Sequence, residues 1–285
     1  TLQVEFGIEG GADIVVGGDI PIGCGLSSST ALVVSITAGL CRLFGVDLSG
    51  KDLAHLCQRI ENFGLGLAIG LLDQYSIVLS KEKHAMMIDF QNRAITHIPL
   101  SLDGCSWVVI NSSVARELAS SAYRDRVREC QEGLEIIRAE YNINSFRDMD
   151  VSMLRSFDDK SVQYRRLLHF IDENKRVEVM KNHLEECNYI EVGEILQASH
   201  DSLKDLYEVS CDEIDFIIKK SADYSGWYGG RIVGGGFGGC SIHLIDSDRI
   251  QGFSNYISEL YTKEYDIVAD VIDVKLSSGS YVYNV

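Results

Sequence analysis

The sequence has 285 residues, 46% hydrophobic and 24% charged, a balance that fits a folded chain and excludes disordered or collagen-like polymers. Its net charge of -16 repels polyanions and argues against a nucleic-acid partner, while the longest apolar run near the start, Ala31 to Leu40, is too short to cross a bilayer and implies no membrane association. The eight cysteines, at 24, 41, 57, 105, 130, 187, 211 and 240, show neither zinc nor redox spacing and point to a reducing, cytoplasmic compartment.

In chain order, Leu2–Phe6 alternates apolar and polar residues and Asp13–Ile20 is rich in β-branched residues between glycines, so both predict strands. They lead into Pro21-Ile22-Gly23-Cys24-Gly25-Leu26-Ser27-Ser28-Ser29-Thr30-Ala31. A proline-free apolar run then predicts a helix over Ser28–Phe44 with the serines in its first turn. Ser49 as N-cap, with Leu53, Leu56, Cys57 and Ile60 at helical spacing, predicts a helix to about Phe63, broken by Gly64, Gly66 and Gly70. A short helix from Leu72 follows, with strands at Ala85–Asp89, Ala94–Ile98 and Trp107–Asn111, and helices dominate from Ser121 to Lys220. The last stretch reads as strand Arg231–Val233, a glycine loop over 234–239, strand Cys240–Ile245, a helix near Asp248–Thr262 and a strand near Ile267–Lys275. The change of pattern near residue 100 places the expected domain boundary there, giving domains 1–100 and 101–285.

A phosphate needs many hydrogen-bond donors at close range. Glycines let backbone N–H groups approach it, and a helix N-terminus adds partial positive charge. Residues 21–31 supply both, together with hydroxyls suited to phosphate oxygens or to a magnesium ion. Pro21, Gly23, Gly25, Leu26, Ser27, Ser28 and Ser29 are therefore the candidate phosphate-binding residues. The loop has no lysine, so it is not the usual P-loop; its bland alternative is a glycine turn followed by serine N-caps, a reading that three serines in a row at a strand-to-helix junction disfavour.

Pro-x-Gly-x-Gly-Leu-Ser-Ser-Ser-x-Ala resembles the second motif of the GHMP small-molecule kinases in its galactokinase form. Three further segments are similar to that branch: Ile69-Gly70-Leu71-Leu72-Asp73-Gln74-Tyr75, the stretch from Asn111 to Tyr123, and Gly234-Gly235-Gly236-Phe237-Gly238-Gly239-Cys240. The resemblance implies an α+β, two-domain GHMP-kinase architecture with the active site in the cleft between domains. It also implies transfer of phosphate from ATP to galactose, giving galactose 1-phosphate and ADP, with Mg²⁺. By that resemblance Asp73 is the catalytic carboxylate that orients or deprotonates the sugar C1 hydroxyl. Ser29 and Glu61, the latter twelve residues before Asp73, are the metal ligands, and Gly70, Asp73, Tyr123, Gly235 and Gly236 line the sugar. Read without the resemblance, Asp73 is a helix cap, Glu61 an exposed acid late in a helix, and Tyr123 a half-buried core residue.

Related branches act on N-acetylgalactosamine, arabinose or heptose phosphates, so the exact sugar stays open. A non-catalytic sugar and ATP sensor is the alternative of a different class. Leu71-Leu72, Thr30 and Ile232-Val233 depart conservatively from the family pattern. Galactokinases usually begin with Gly-Arg-x-Asn-Leu-x-Gly-Glu-His-x-Asp-Tyr, and nothing like it occurs here; either the sequence is a portion of a longer kinase, which a start as if in mid-strand without Met favours, or the protein itself lacks this region and is not an ordinary kinase. The arginines at 124, 126 and 128 read as a solvated helix face, and Arg138, Arg165 and Arg166 as surface rather than phosphate clamp. Trp107 reads as core, and His55, His84, His97, His183 and His200 have no ligand spacing and no catalytic role.

Overall fold

A computed structural model describes residues 1–66, 69–101, 103–114 and 119–283. They divide into two compact units, Thr1–Ile22 with Leu26–Leu100 and Leu276–Val285, and Gly23–Gly25 with Ser101–Lys275. The tail falls on the other side of the expected division. Backbone N–H groups of Gly279 and Ser280 donate to the carbonyls of Ser80 and Ile77, and Lys83 donates to Leu276.

The first unit holds helices α1 (Leu2–Phe6), α2 (Ser28–Leu43), α3 (Gly50–Leu65) and α4 (Leu72–Leu79), and the antiparallel strands β1 (His84–Asp89) and β2 (Ala94–Pro99). Thr30, Val34, Thr37 and Cys41 repeat at helical spacing and are the buried stripe of α2. Ser49 caps α3 by accepting from the Asp52 N–H at 3.2 Å, and Gly66 closes it in the left-handed conformation at φ 63°. Neither early strand forms. Leu2–Phe6 is a one-turn helix stopped by Gly7 at φ 63°, a stop signal that outweighs its alternation. Residues 13–20 have no regular structure, with Val15 fully exposed; β-branched residues favour a strand only where a neighbouring strand offers a ladder, and among the described residues none pairs with them.

The second unit contains β3 (Cys105–Asn111), α5 (Ala119–Glu140), α6 (Val162–Glu185), α7 (Tyr189–Asp201), α8 (Asp212–Ser221), β4 (Trp227–Ile232), β5 (Cys240–Asp246), α9 (Ile250–Tyr265) and β6 (Asp270–Val274). Its sheet runs β4-β5-β3-β6, antiparallel throughout. Trp107-Val108-Val109-Ile110 in β3 is buried without alternation, as a strand covered on both faces must be. Val108, Ile110 and Ile245 pack with Ile217 of α8 and Phe253, Ile257 and Tyr261 of α9. Trp107 is core, as expected.

Helix α7 lies so close to β4 that glycine is required on both. A Cβ on Gly193 would strike the Tyr228 carbonyl and come within 2.8 Å of Tyr228 Cβ, and one on Gly229 would strike the Gly193 carbonyl. Gly193→Ala should destabilise the protein by about 3 kcal/mol, the upper range for overpacking, read as a drop in the urea unfolding midpoint. An alanine variant of wild-type stability would mean that α7 does not seat on β4 in this way.

The arginines are the second departure from the sequence reading. Arg166 is 1% exposed. Its guanidinium donates to Glu129 at 2.7 Å, to Glu208 at 2.7 Å and to the Leu206 carbonyl at 2.5 Å. Arg126 joins Glu129 at 2.6 Å and Arg165 joins Glu208 at 2.7 Å, so neither Arg126 nor Arg166 is a solvated surface group. The Leu206 carbonyl belongs to a π-helical turn, Ser202–Leu206, that continues α7. Such a turn frees carbonyls from the ordinary ladder, and Arg166 takes one of them.

Candidate functional site

In the first unit, α2, α3 and α4 meet at the carboxylate of Glu61. The stripe that buries Ala54, Cys57 and Glu61 turns this acid inward, so it is not an exposed carboxylate late in a helix. Its Oε1 accepts from Thr30 Oγ1 at 2.8 Å and from Ser29 Oγ at 3.3 Å, and its Oε2 accepts from Gln74 Nε2 at 2.6 Å. All three donors are neutral. A buried carboxylate without a cationic partner is costly, and among the described residues no ion pair engages it. Ser29 and Glu61, the two expected metal ligands, are thus in direct contact and present only oxygen, the donor type that hard cations take.

The chain enters α2 through alternating positive φ angles, 79° at Gly23, 85° at Gly25 and 55° at Ser27. Glycine suits the first two, and such alternation turns successive N–H groups toward one side, as anion-binding backbone concavities do. Ser27 is the N-cap residue, yet its hydroxyl makes no capping bond. Ser27 therefore does not serve as a side-chain cap, and among the described residues none caps the first amides of α2.

Asp73 sits in the first turn of α4, half-buried. Among the described residues no hydrogen bond or ion pair holds its carboxylate, so it is no cap by side-chain bonding. The segment before it is fixed by α3: Ile69 N–H donates to Asn62 Oδ1 at 2.8 Å and its carbonyl accepts from Gln58 Nε2 at 2.8 Å. Gly70, the next residue, is exposed. Sequence reasoning passed over Gln58, Asn62, Thr30 and Gln74. The signal for Gln58 and Asn62 was only a pair of amides four apart on a polar face of α3, and for Gln74 its place beside Asp73 in the quoted motif.

The second unit shapes the glycine run. Gly234, Gly236, Phe237, Gly238 and Gly239 all have positive φ. Phe237 N–H donates to the Val209 carbonyl at 2.7 Å. A Cβ on Gly236 would lie 2.8 Å from Val209 Cβ, so packing alone requires glycine there, whereas Gly235 is exposed with open space above it. Ser112 donates its N–H and hydroxyl to the Gly239 carbonyl at 2.9 and 2.8 Å, which joins the segment starting at Asn111 to the glycine run. Residues 115–118 of that segment lie outside the described residues. Tyr123, on α5, is half-exposed rather than a core residue.

His200, buried on α7, ties the approach to this loop. Its Nδ1 accepts from the Ile232 N–H at 3.4 Å and its Nε2 faces Asp215 at 3.3 Å, while Ser210 and Lys204 hold the same carboxylate at 2.6 and 3.0 Å. Burial works to raise the Asp215 carboxyl, but hydrogen bonds from His200, Ser210 and Lys204 outweigh it and bring it down to about 2. A carboxyl depressed in the folded state stabilises fully above its unfolded value of about 3.9 and loses that contribution as pH falls through about 2. Asp215→Asn should therefore cost about 2 kcal/mol at pH 7 and less as pH drops below 4, measured by urea titration across pH. A penalty independent of pH would refute the ionic role.

The GHMP kinases N terminal domain matches residues 1–81 and the GHMP kinases C terminal domain matches residues 183–263. The galactokinase of Clostridium perfringens (strain SM101 / Type A) is 32% identical over 281 residues, covering 98% of this chain and 73% of that protein. The chain belongs to the galactokinase family. Its fold agrees with the galactokinase family in three dimensions: the crystal structure of Lactococcus lactis galactokinase complexed with galactose superposes with a TM-score of 0.87 at 30% identity, over 93% of this chain and 69% of that one. The fold extends further, to L. major mevalonate kinase, with a TM-score of 0.62 at 14% identity over 89% of this chain and 66% of that one. As in the galactokinase resemblance, the fold is α+β, with an N- and a C-terminal GHMP kinase domain. No helix among the described residues is long and apolar enough to cross a membrane.

Proposed function

We propose that this protein is an ATP-dependent sugar 1-kinase that converts galactose and ATP to galactose 1-phosphate and ADP. Family membership supports the reaction, and the observation that carries it to this chain's residues is the contact of Ser29 with Glu61 beside the uncapped start of α2. In this reading the N–H groups of residues 23–29 and the hydroxyls of Ser27 and Ser28 bind the ATP phosphates. Asp73, with no described partner of its own, accepts or orients the proton of the sugar C1 hydroxyl as that oxygen attacks the γ-phosphorus and ADP leaves. Gly70, Asp73, Tyr123, Gly235 and Gly236 are the sugar-binding residues that the family resemblance proposes, and Gly236 lets its own backbone pack on Val209.

Mg²⁺ fits the residues present. Ser29 Oγ and Glu61 Oε1 are 3.3 Å apart, near the about 3 Å between adjacent corners of an octahedron with bonds of about 2.1 Å, and among the described residues no cationic group compensates the buried carboxylate. Bound to Ser29 and Glu61, the ion would neutralise charge on the nucleotide phosphates. A cytoplasmic location belongs to the same reading and is supported by eight free cysteines.

The test is transfer of labelled γ-phosphate from ATP to a panel of galactose, N-acetylgalactosamine, arabinose and glucose. Galactose should be the preferred acceptor. Preference for another sugar would replace galactose, and nucleotide binding without any transfer would favour a sensor.

A further inference from the structure

The two oxygens of Glu61 keep different company. Oε1 faces the hydroxyls of Thr30 and Ser29, whereas Oε2 is gripped by the amide of Gln74 at 2.6 Å. A carboxylate only accepts hydrogen bonds, so the amide orientation follows: nitrogen toward Glu61, oxygen away from it. Gln74 is completely buried, and among the described residues its Oε1 has no hydrogen-bond partner. A buried acceptor left without a donor is a standing cost that an apolar residue of similar size would avoid. The bond to Glu61 accounts for half of this amide, and among the described residues no donor meets the other half.

We infer that Gln74 is a positioning residue of the metal site. Its NH₂ fixes the plane of the Glu61 carboxylate so that Oε1 stays turned to Ser29, and this grip is what the amide gains against the cost of its unmet oxygen. Groups that lock a ligand in place govern affinity nearly as strongly as the ligand does. The placement on α4 adds a second consequence. Successive helix residues point about 100° apart, so the turn that sends Gln74 inward to Glu61 leaves its neighbour Asp73 half-buried at the helix start. One helical turn thereby carries both the grip on the metal carboxylate and the proposed catalytic acid, and a shift of α4 moves the two together.

The inference rests on the reading of Glu61 as a metal ligand, and the experiment separates the two. Mn²⁺ binding to the full chain is measured by electron paramagnetic resonance in the presence of a non-hydrolysable ATP analogue, alongside analogue binding without metal. Gln74→Met should weaken Mn²⁺ by about tenfold or more and leave metal-free analogue binding unchanged. A lower thermal midpoint with unaltered Mn²⁺ affinity would mean that Gln74 merely packs, and would overturn the inference. Should the variant not fold, the side-chain amide resonance of Gln74 in the wild-type protein serves instead: it should shift when Mg²⁺ joins the analogue complex, and an unmoved signal overturns the role. Wild-type protein that binds the analogue but no Mn²⁺ would remove the metal reading of Glu61 and this inference with it.

Discussion

Asp73→Asn is expected to lower kcat for galactose phosphorylation by about 10²- to 10⁴-fold, the span that a positioned proton acceptor contributes, with galactose and ATP affinities little changed. Asparagine keeps the size and the place in the first turn of α4 and removes only the charge and its basicity. Because no described group bonds to the Asp73 carboxylate, the substitution breaks no structural contact. Loss of a favourable acid at a helix start costs about 1 kcal/mol or less. Kinetics and stability therefore separate. A carboxylate that served only the helix would show the reverse pattern, a small fall in thermal midpoint with kcat intact. Steady-state rates with both substrates varied, together with thermal melts, decide between the two.

Glu61→Gln is expected to weaken productive Mg²⁺ binding by about 100-fold, in the upper range for disturbing a metal site, with activity partly restored at high Mg²⁺. The local hydrogen bonds survive the change. The new side-chain oxygen still accepts from Thr30 and Ser29, and the new NH₂ finds its acceptor when Gln74 turns its amide over and offers the oxygen that now lacks a partner. A buried charge without a counter-ion also disappears, so the metal-free protein should be at least as stable as wild type. Activity would be titrated with Mg²⁺ and stability measured in chelator. Equal Mg²⁺ dependence in both proteins would exclude Glu61 from the metal site, and a collapse of stability would make it a structural acid.

What could be read in the sequence follows the range of the forces involved. Helices α2, α3 and α4 and strands β1 to β3 were legible because periodic burial and local caps such as Ser49 and Gly66 act over a few residues. The strand expected over residues 13–20 failed for the complementary reason, since these residues have β-branched chemistry but a strand is made by its neighbour, whereas Leu2–Phe6 became a helix closed by Gly7. Arg166 shows the same limit for charge. Nothing in its immediate sequence says that Glu129 and Glu208 will converge on it and let it be buried.

At the candidate site, the proposed phosphate loop, Glu61 and Asp73 were suggested through motif resemblance alone. The structure adds the contacts that motifs do not record. Thr30, noted only as a departure from the family pattern, makes the shorter of the two hydroxyl bonds to Glu61 Oε1, and Gln74 holds the other oxygen. In the second unit, Gly236 lacks a side chain because of Val209, a residue 27 positions earlier in the sequence and invisible to a reading of the glycine run alone.

The central claim is that the start of α2, Ser29 with Glu61, and Asp73 form one phosphotransfer centre. A crystal structure of the protein with Mg²⁺, a non-hydrolysable ATP analogue and galactose tests it most directly. The account predicts phosphate oxygens on the N–H groups of residues 23–29, the cation on Ser29 and Glu61, and the galactose C1 hydroxyl within hydrogen-bond reach, about 3 Å, of Asp73. Phosphates bound away from α2, or a sugar hydroxyl other than C1 facing Asp73, would contradict it.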